Sequence, residues 1–244
     1  MAHVDVHADL DLDSPTLVEG LPGAGLVGKI AADHLVEQFE MEWVASCFCE
    51  GLPRVAVYRT DNAETMPPVR LYADEQRDLL VLQSDVPISP SQASAFAGCL
   101  TGWFADNDVF PLYLSGLPEG YDEVPDLYGI ATGDATGRLA DADIAPPDEA
   151  GMVSGPTGAL LHEANVRGVS AIGLIAETEA QFPDPTAAQK VLTNGVEPLT
   201  GIEVDTDSLV EQAEKIRKAR ERLAKQVHEA DDESTEAKSI RGFQ

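Results

Sequence analysis

Lysine is nearly missing from this chain. Six lysines and ten arginines stand against 43 acidic side chains, which leaves a formal net charge of −27. Nucleic-acid binding depends on Lys and Arg neutralising phosphates, so that class of partner is excluded. Docking on an anionic membrane surface is excluded for the same reason. Cysteine is scarce as well, with only Cys47, Cys49 and Cys99. Three thiols suit a reducing compartment. Cys47 and Cys49 fall one pleat apart on the same face of an expected strand. With no histidine nearby they read as buried core cysteines rather than metal ligands. No apolar run reaches the length of a membrane span, and the opening MAHVDVHADL lacks the pattern of a signal peptide. The expectation is a soluble, cytoplasmic protein.

Chemistry-bearing constellations are also lacking. The five histidines are His3, His7, His34, His162 and His228, and none sits in a metal-ligand or Ser/His/Asp-like pattern. Ser154-Gly155-Pro156 is no nucleophile elbow. No metal site, cofactor site or catalytic residue is assigned.

Residues 16–30 read TLVEGLPGAGLVGKI, a β-type run, a tight turn and a helix. Gly20, Gly23, Gly25 and Gly28 crowd this junction, the place where α/β proteins hold phosphates. Gly23 to Lys29 fit G-x-x-x-x-G-K, but Ile30 stands where a magnesium-binding Ser or Thr is needed. Gly23, Gly25 and Gly28 also fit the dinucleotide fingerprint, with Glu50 at the position of a ribose ligand 22 residues beyond Gly28. The competing reading is a sharp turn with close helix–sheet packing. Glu19, Glu177 and Asp184 fall at or just beyond the carboxyl ends of expected strands. A small-molecule pocket near Gly23, Glu177 and Asp184 is therefore one reading. Capping of neighbouring helix N-termini by these carboxylates is the favoured one.

Helices and strands alternate along most of the chain. Strands are expected around Val18 and over 42–49, 53–59, 67–73, 79–82, 109–114 and 169–175. Helix 26–39 carries the stripe Val27, Ile30, Ala31, Leu35 and Phe39. Ser89, Pro90 and Gln92 form a start signal for the next helix, whose core face runs from Ala93 to Phe104. Residues 117–156 read as a long excursion with a short strand near 127–131. Helix 157–167 follows, and Asp184-Pro185 opens another that ends before Pro198. Ser208 and Glu211 form a capping box for a final helix, 207–230, in which Leu209, Ile216 and Leu223 recur every seven residues. Six Lys and Arg side chains concentrate at 215–225, either as a solvated face or as a contact for an acidic partner. Residues 231–244 read as a flexible tail. The expected domain plan is an α/β domain over 1–206, the C-terminal helix and the tail.

Three segments taken in order resemble the proteasome assembly chaperone two family of archaea and actinobacteria. They are LVEGLPGAGLVGKIAADHLVEQF, GPTGALLHEANVRGVSAIGLIAET and FPDPTAAQKVLTNGVEPLTGIEVDTDSL, spanning about residues 15–227. The resemblance implies a three-layer α/β/α sandwich with a mostly parallel mixed sheet, similar to the nucleoside phosphorylase fold but without its enzymatic residues. It implies a non-enzymatic factor that binds 20S proteasome α subunits or assembly intermediates and forms homo-oligomers. Some archaeal relatives bind the 20S core through a tail ending in a hydrophobic residue, tyrosine and any residue. Phe243 takes the aromatic position here, and Gln244 supplies a terminal carboxylate that pairs with a lysine. Glycine replaces the hydrophobic residue at 242, and the tyrosine hydroxyl is absent. The alternative is a nucleoside- or phosphate-binding protein, or an enzyme, using the glycine-loop cleft.

The spread of carboxylates along the whole chain, with few lysines, resembles cytoplasmic proteins of salt-loving archaea. Molar salt shortens the Debye length to about 3 Å and screens the self-repulsion of such a surface. The melting temperature is expected to rise from low to molar potassium chloride. An unchanged value in thermal melts would refute salt dependence.

Overall fold

Continuous apolar runs such as Leu79-Leu80-Val81-Leu82 can be buried only in a sheet covered on both faces. A computed structural model builds that sheet. It describes residues 3–50, 52–58, 60, 63–179 and 181–213. The elements in chain order are β1 (Val4–Val6), β2 (Thr16–Gly20), α1 (Val27–Gln38), β3 (Glu42–Cys47), β4 (Val69–Asp74) and β5 (Leu79–Ser84). Then come α2 (Ala93–Asp106), β6 (Phe110–Leu117), β7 (Leu127–Thr132), α3 (Thr136–Asp141) and α4 (Gly155–Arg167). β8 (Ala171–Glu177), α5 (Pro185–Val191) and α6 (Glu197–Thr200) follow.

Eight strands form one mixed sheet in the order β1-β3-β4-β5-β2-β6-β8-β7. The neighbours β5, β2, β6 and β8 are parallel, and antiparallel pairings join the flanking strands. Alternate residues feed two cores. Val18, Val81, Leu112 and Leu174 pack under α1 and α5, while Leu17, Leu80, Leu82 and Tyr113 pack under α2 and α4. The result is the α/β sandwich expected from the sequence. Among the described residues no helix is long and apolar enough to cross a membrane.

Several local expectations are corrected. Among the described residues of the expected strand 53–59 none is in a strand; Val57 and Met66 make one isolated bridge. Pro53 lacks an amide to donate to a ladder. The start signal at Ser89 is not used as a cap, because its hydroxyl pairs with that of Ser91 and α2 begins at Ala93. The helix opened by Asp184 does not stop before Pro198. A widened π turn over Leu192–Val196 carries it into α6, where Pro198 sits in the first turn and needs no amide partner. Ser208 is not the cap of the final helix. Leu209 and Val210 both donate to Thr206 O, so the helix begins at 207, and Leu209 is buried in the core under α1. The rest of that helix, the basic stretch and the tail lie outside the described residues.

The cysteines also differ from expectation. β3 ends at Cys47, so Cys49 leaves the sheet and bonds to Cys99 on α2, with the two Cα atoms 5.8 Å apart. Only Cys47 is a free buried thiol, and burial pushes its pKa up to about 12, with Arg70 acting the other way. A cross-link closing a long loop chiefly restricts the unfolded chain. Replacing Cys49 and Cys99 with serine is expected to lower stability by about 2–4 kcal/mol. Melts with and without reductant check this; a reductant-insensitive wild type would refute it.

Candidate functional site

Strand order decides where a ligand could bind. β5 lies on one side of β2 and β6 on the other, so the chain order reverses at β2. Open α/β sheets bind ligands in the crevice beyond such a switch point. The glycine loop sits in that position.

The loop descends onto the sheet because four glycines let it. A side chain at Gly20 would place Cβ 2.2 Å from Ala32 Cβ, and one at Gly116 would meet Ala24 O at 2.5 Å. Gly25 has φ +60°, and a Cβ there would lie 1.9 Å from Thr178 Oγ1. A Cβ on Gly28 would lie 3.2 Å from both Glu19 O and Leu114 Cβ. Leu26 follows in the left-handed region at φ +53°, a strained choice for leucine, and starts α1. Gly23 alone has open space around it. Three of the loop glycines thus serve close packing.

The polar groups above the loop are bonded to one another. Asp184 Oδ1 accepts from Ala187 N at 3.0 Å and Tyr121 Oη at 2.8 Å. Its Oδ2 accepts from Thr178 Oγ1 at 2.9 Å and Glu179 N at 3.1 Å. Asp184 N donates to Gly25 O at 2.8 Å. Asp184 therefore caps α5 and ties the loop after β8 to the glycine loop. Burial and the Asp184 carboxylate push the Tyr121 phenol well above its ordinary pKa. Four donors engage the two oxygens of that carboxylate.

Below the loop lies Glu19, fully buried in β2. Its carboxyl oxygens accept from Leu21 N and Leu114 N, each at 3.0 Å, and lie 3.3 and 3.4 Å from Thr157 Oγ1 on α4. The carboxyl group therefore bridges β2, β6 and α4 where the β2–β6 ladder ends at Val18 and Leu112. Burial raises its pKa to about 8, against the opposing pull of the two amides and Thr157. At neutral pH it is mostly a neutral acid.

The remaining sequence candidates lie elsewhere. Glu177 Oε2 accepts from Asp126 N at 3.0 Å, which joins the end of β8 to the start of β7; it caps no helix. Glu50 follows β3, and β4 and β5 separate β3 from β2. A ribose ligand needs the strand beside β2, so Glu50 cannot complete a dinucleotide site. Lys29, the P-loop-like lysine, holds Asp33 at 2.8 Å and lies 3.7 Å from Asp85, the carboxylate that also takes buried Arg70. Among the described residues no group of three or more His, Cys, Asp or Glu side chains could hold a metal. Phe243 and Gln244 lie outside the described residues. The sequence reading missed Tyr121, Thr157, Thr178 and Gly116. Glu19, a lone acid in an apolar strand, and Asp184, before a helix-opening proline, were legible.

Linkage fixes the sign of Glu19's effect on stability. Its folded pKa lies above the unfolded value, so its contribution is fully present below about pH 4.5 and lost as pH rises through about 8. Each pH unit in that window removes up to about 1.4 kcal/mol. Glu19→Gln is expected to flatten this fall in denaturant titrations between pH 5 and pH 8. Equal slopes for both proteins would refute it.

Comparison with known proteins gives the family. Two Methanocaldococcus jannaschii proteins are 29% and 30% identical to this chain, over 90% and 88% of it and 89% and 87% of their own lengths. PbaA of Pyrococcus furiosus, titled an archaeal homolog of proteasome-assembly chaperone, shares the fold with a TM-score of 0.78 at 23% identity, over 95% of this chain and 96% of its own. PbaB of the same organism, titled an archaeal proteasome activator, matches with a TM-score of 0.73 at 23% identity, over 91% and 98%. The model of the PAC2 family matches residues 17–224, and the chain belongs to that family.

Proposed function

We propose that this protein is a non-enzymatic binding factor for the 20S proteasome, acting on its α subunits or on assembly intermediates in the cytoplasm. Membership of the PAC2 family and the likeness in fold to PbaA and PbaB support the reading. The observation that carries the non-enzymatic part is the mutual hydrogen bonding of the polar groups at the switch point. Asp184, Tyr121 and Thr178 satisfy one another where an α/β enzyme would present groups to a substrate. Glu19, the one carboxyl there with a raised pKa, has no exposure to solvent. A homo-oligomer, and contacts to the proteasome through Phe243 and Gln244, belong to the same proposal.

A pull-down from native extract at molar salt is expected to retain 20S subunits. An eluate with none of them would overturn the proposal. Nucleotides, nucleosides and phosphate are expected to leave the melting temperature unchanged. A clear shift with any of them would favour a ligand-binding role for the glycine loop.

A further inference from the structure

Nine large apolar side chains are exposed among the described residues, and they are not scattered evenly. Six of them, Phe48, Val55, Tyr58, Val124, Met152 and Phe182, lie on segments at one edge of the sheet, where β2, β5, β6 and β8 end. Val124, Met152 and Phe182 belong to three separate segments in one half of that edge, 118–126, 145–154 and 177–183. Met152 is 93% exposed and Val124 65%. An isolated exposed methionine is ordinary on a surface; apolar side chains offered by three adjoining segments are not.

The three segments are held together. Tyr121 Oη donates to Asp184 Oδ1, Glu177 N donates to Asp126 O at 3.0 Å, and Asp126 N donates to Glu177 Oε2 at 3.0 Å. Ala145 O accepts from Gly129 N at 2.8 Å, which brings the third segment alongside β7. Their charge is of one sign. The segments contain eight Asp and Glu residues and no Lys, Arg or His. The Tyr128 phenol is held above its ordinary pKa by desolvation and by the charges of Asp126, Glu177, Asp148 and Glu119, which come from all three segments.

We infer that this half of the sheet edge is a protein-docking face, with Val124 and Met152 as apolar anchors on segments whose charged side chains are all acidic. The partner it fits is a protein surface offering an apolar socket rimmed by Lys and Arg. A second copy of this chain fits poorly, because a two-fold contact would set these carboxylates against themselves. The inference deepens the proteasome reading and rests on it for the identity of the partner.

The test measures binding of the full chain to purified 20S proteasome by interferometry, at moderate and at molar potassium chloride. The Val124→Ser/Met152→Ser protein is expected to bind at least about tenfold more weakly at both salts. Val166→Ser, an exposed site at the opposite end of α4, is the control and should bind like the wild type. Neutralising Glu123, Asp148 and Glu149 as Gln, Asn and Gln should weaken binding at moderate salt and leave it unchanged at molar salt. Matched melting temperatures would show that every variant is folded. Wild-type affinity in the Val124→Ser/Met152→Ser protein would overturn the inference while the proteasome reading stands. Binding lost only on truncation after Ala213 would also overturn it, in favour of the terminal segment. A wild-type self-assembly that the double variant abolishes would reassign the face to contacts between copies and refute the basic partner. No binding by the wild type would overturn both readings.

Discussion

The fold turns on the desolvated carboxyl group of Glu19. β2 has parallel partners on both sides, and its ladder to β6 ends two residues before β2 itself does. That divergence would leave buried amides at Leu21 and Leu114 without acceptors, a cost of about 1–3 kcal/mol each. Glu19 supplies both acceptors and reaches Thr157 on the α4 layer. The glycine loop then closes over it. Gly25 and Gly28 allow contacts that a Cβ would block, and Asp184 holds the loop from above.

This arrangement explains why a loop that looks like a phosphate cradle works as a fastening. Phosphate loops leave their backbone amides and a lysine pointing into an open crevice. Here the crevice holds Thr178, Tyr121 and Asp184, and Lys29 is engaged by Asp33. The strand after α1 adds a second obstacle. It lies beyond β4 and β5, so the acid that would hold a ribose is on the wrong part of the sheet. The same motif letters therefore lead to different chemistry under a different strand order.

The acidic surface and the buried charges obey opposite constraints. Outside, carboxylates face water and are tolerated in number. Inside, each charge has a tailored partner set: Arg70 is fully buried but reaches Asp85, Gln83 and Tyr72. Its neighbour Cys47 stays a thiol, while Cys49, two residues on, is tied to α2. Among the described residues, large apolar side chains are exposed mainly at the edge where β2, β5, β6 and β8 end.

The α/β class, a strand buried on both faces and the position of the glycine turn were legible in the residues alone. Consecutive apolar residues demand a sheet covered on both faces, and a helical stripe such as Val27, Ala31 and Leu35 demands a layer to cover. These signals are local and periodic. Asp184-Pro185 was legible as a helix start because capping is also local. Contacts distant in sequence were not. The Cys49–Cys99 bond spans 50 residues, and Glu19 meets Leu114 across 95 and Thr157 across 138. Pro198 read as a stop, but a π turn before it absorbed the missing amide. Strand order settled the rest. Periodicity says that a segment is a strand, but only packing of the whole sheet decides its neighbours, and the neighbours of β2 decide whether its glycine loop is a cradle or a fastening.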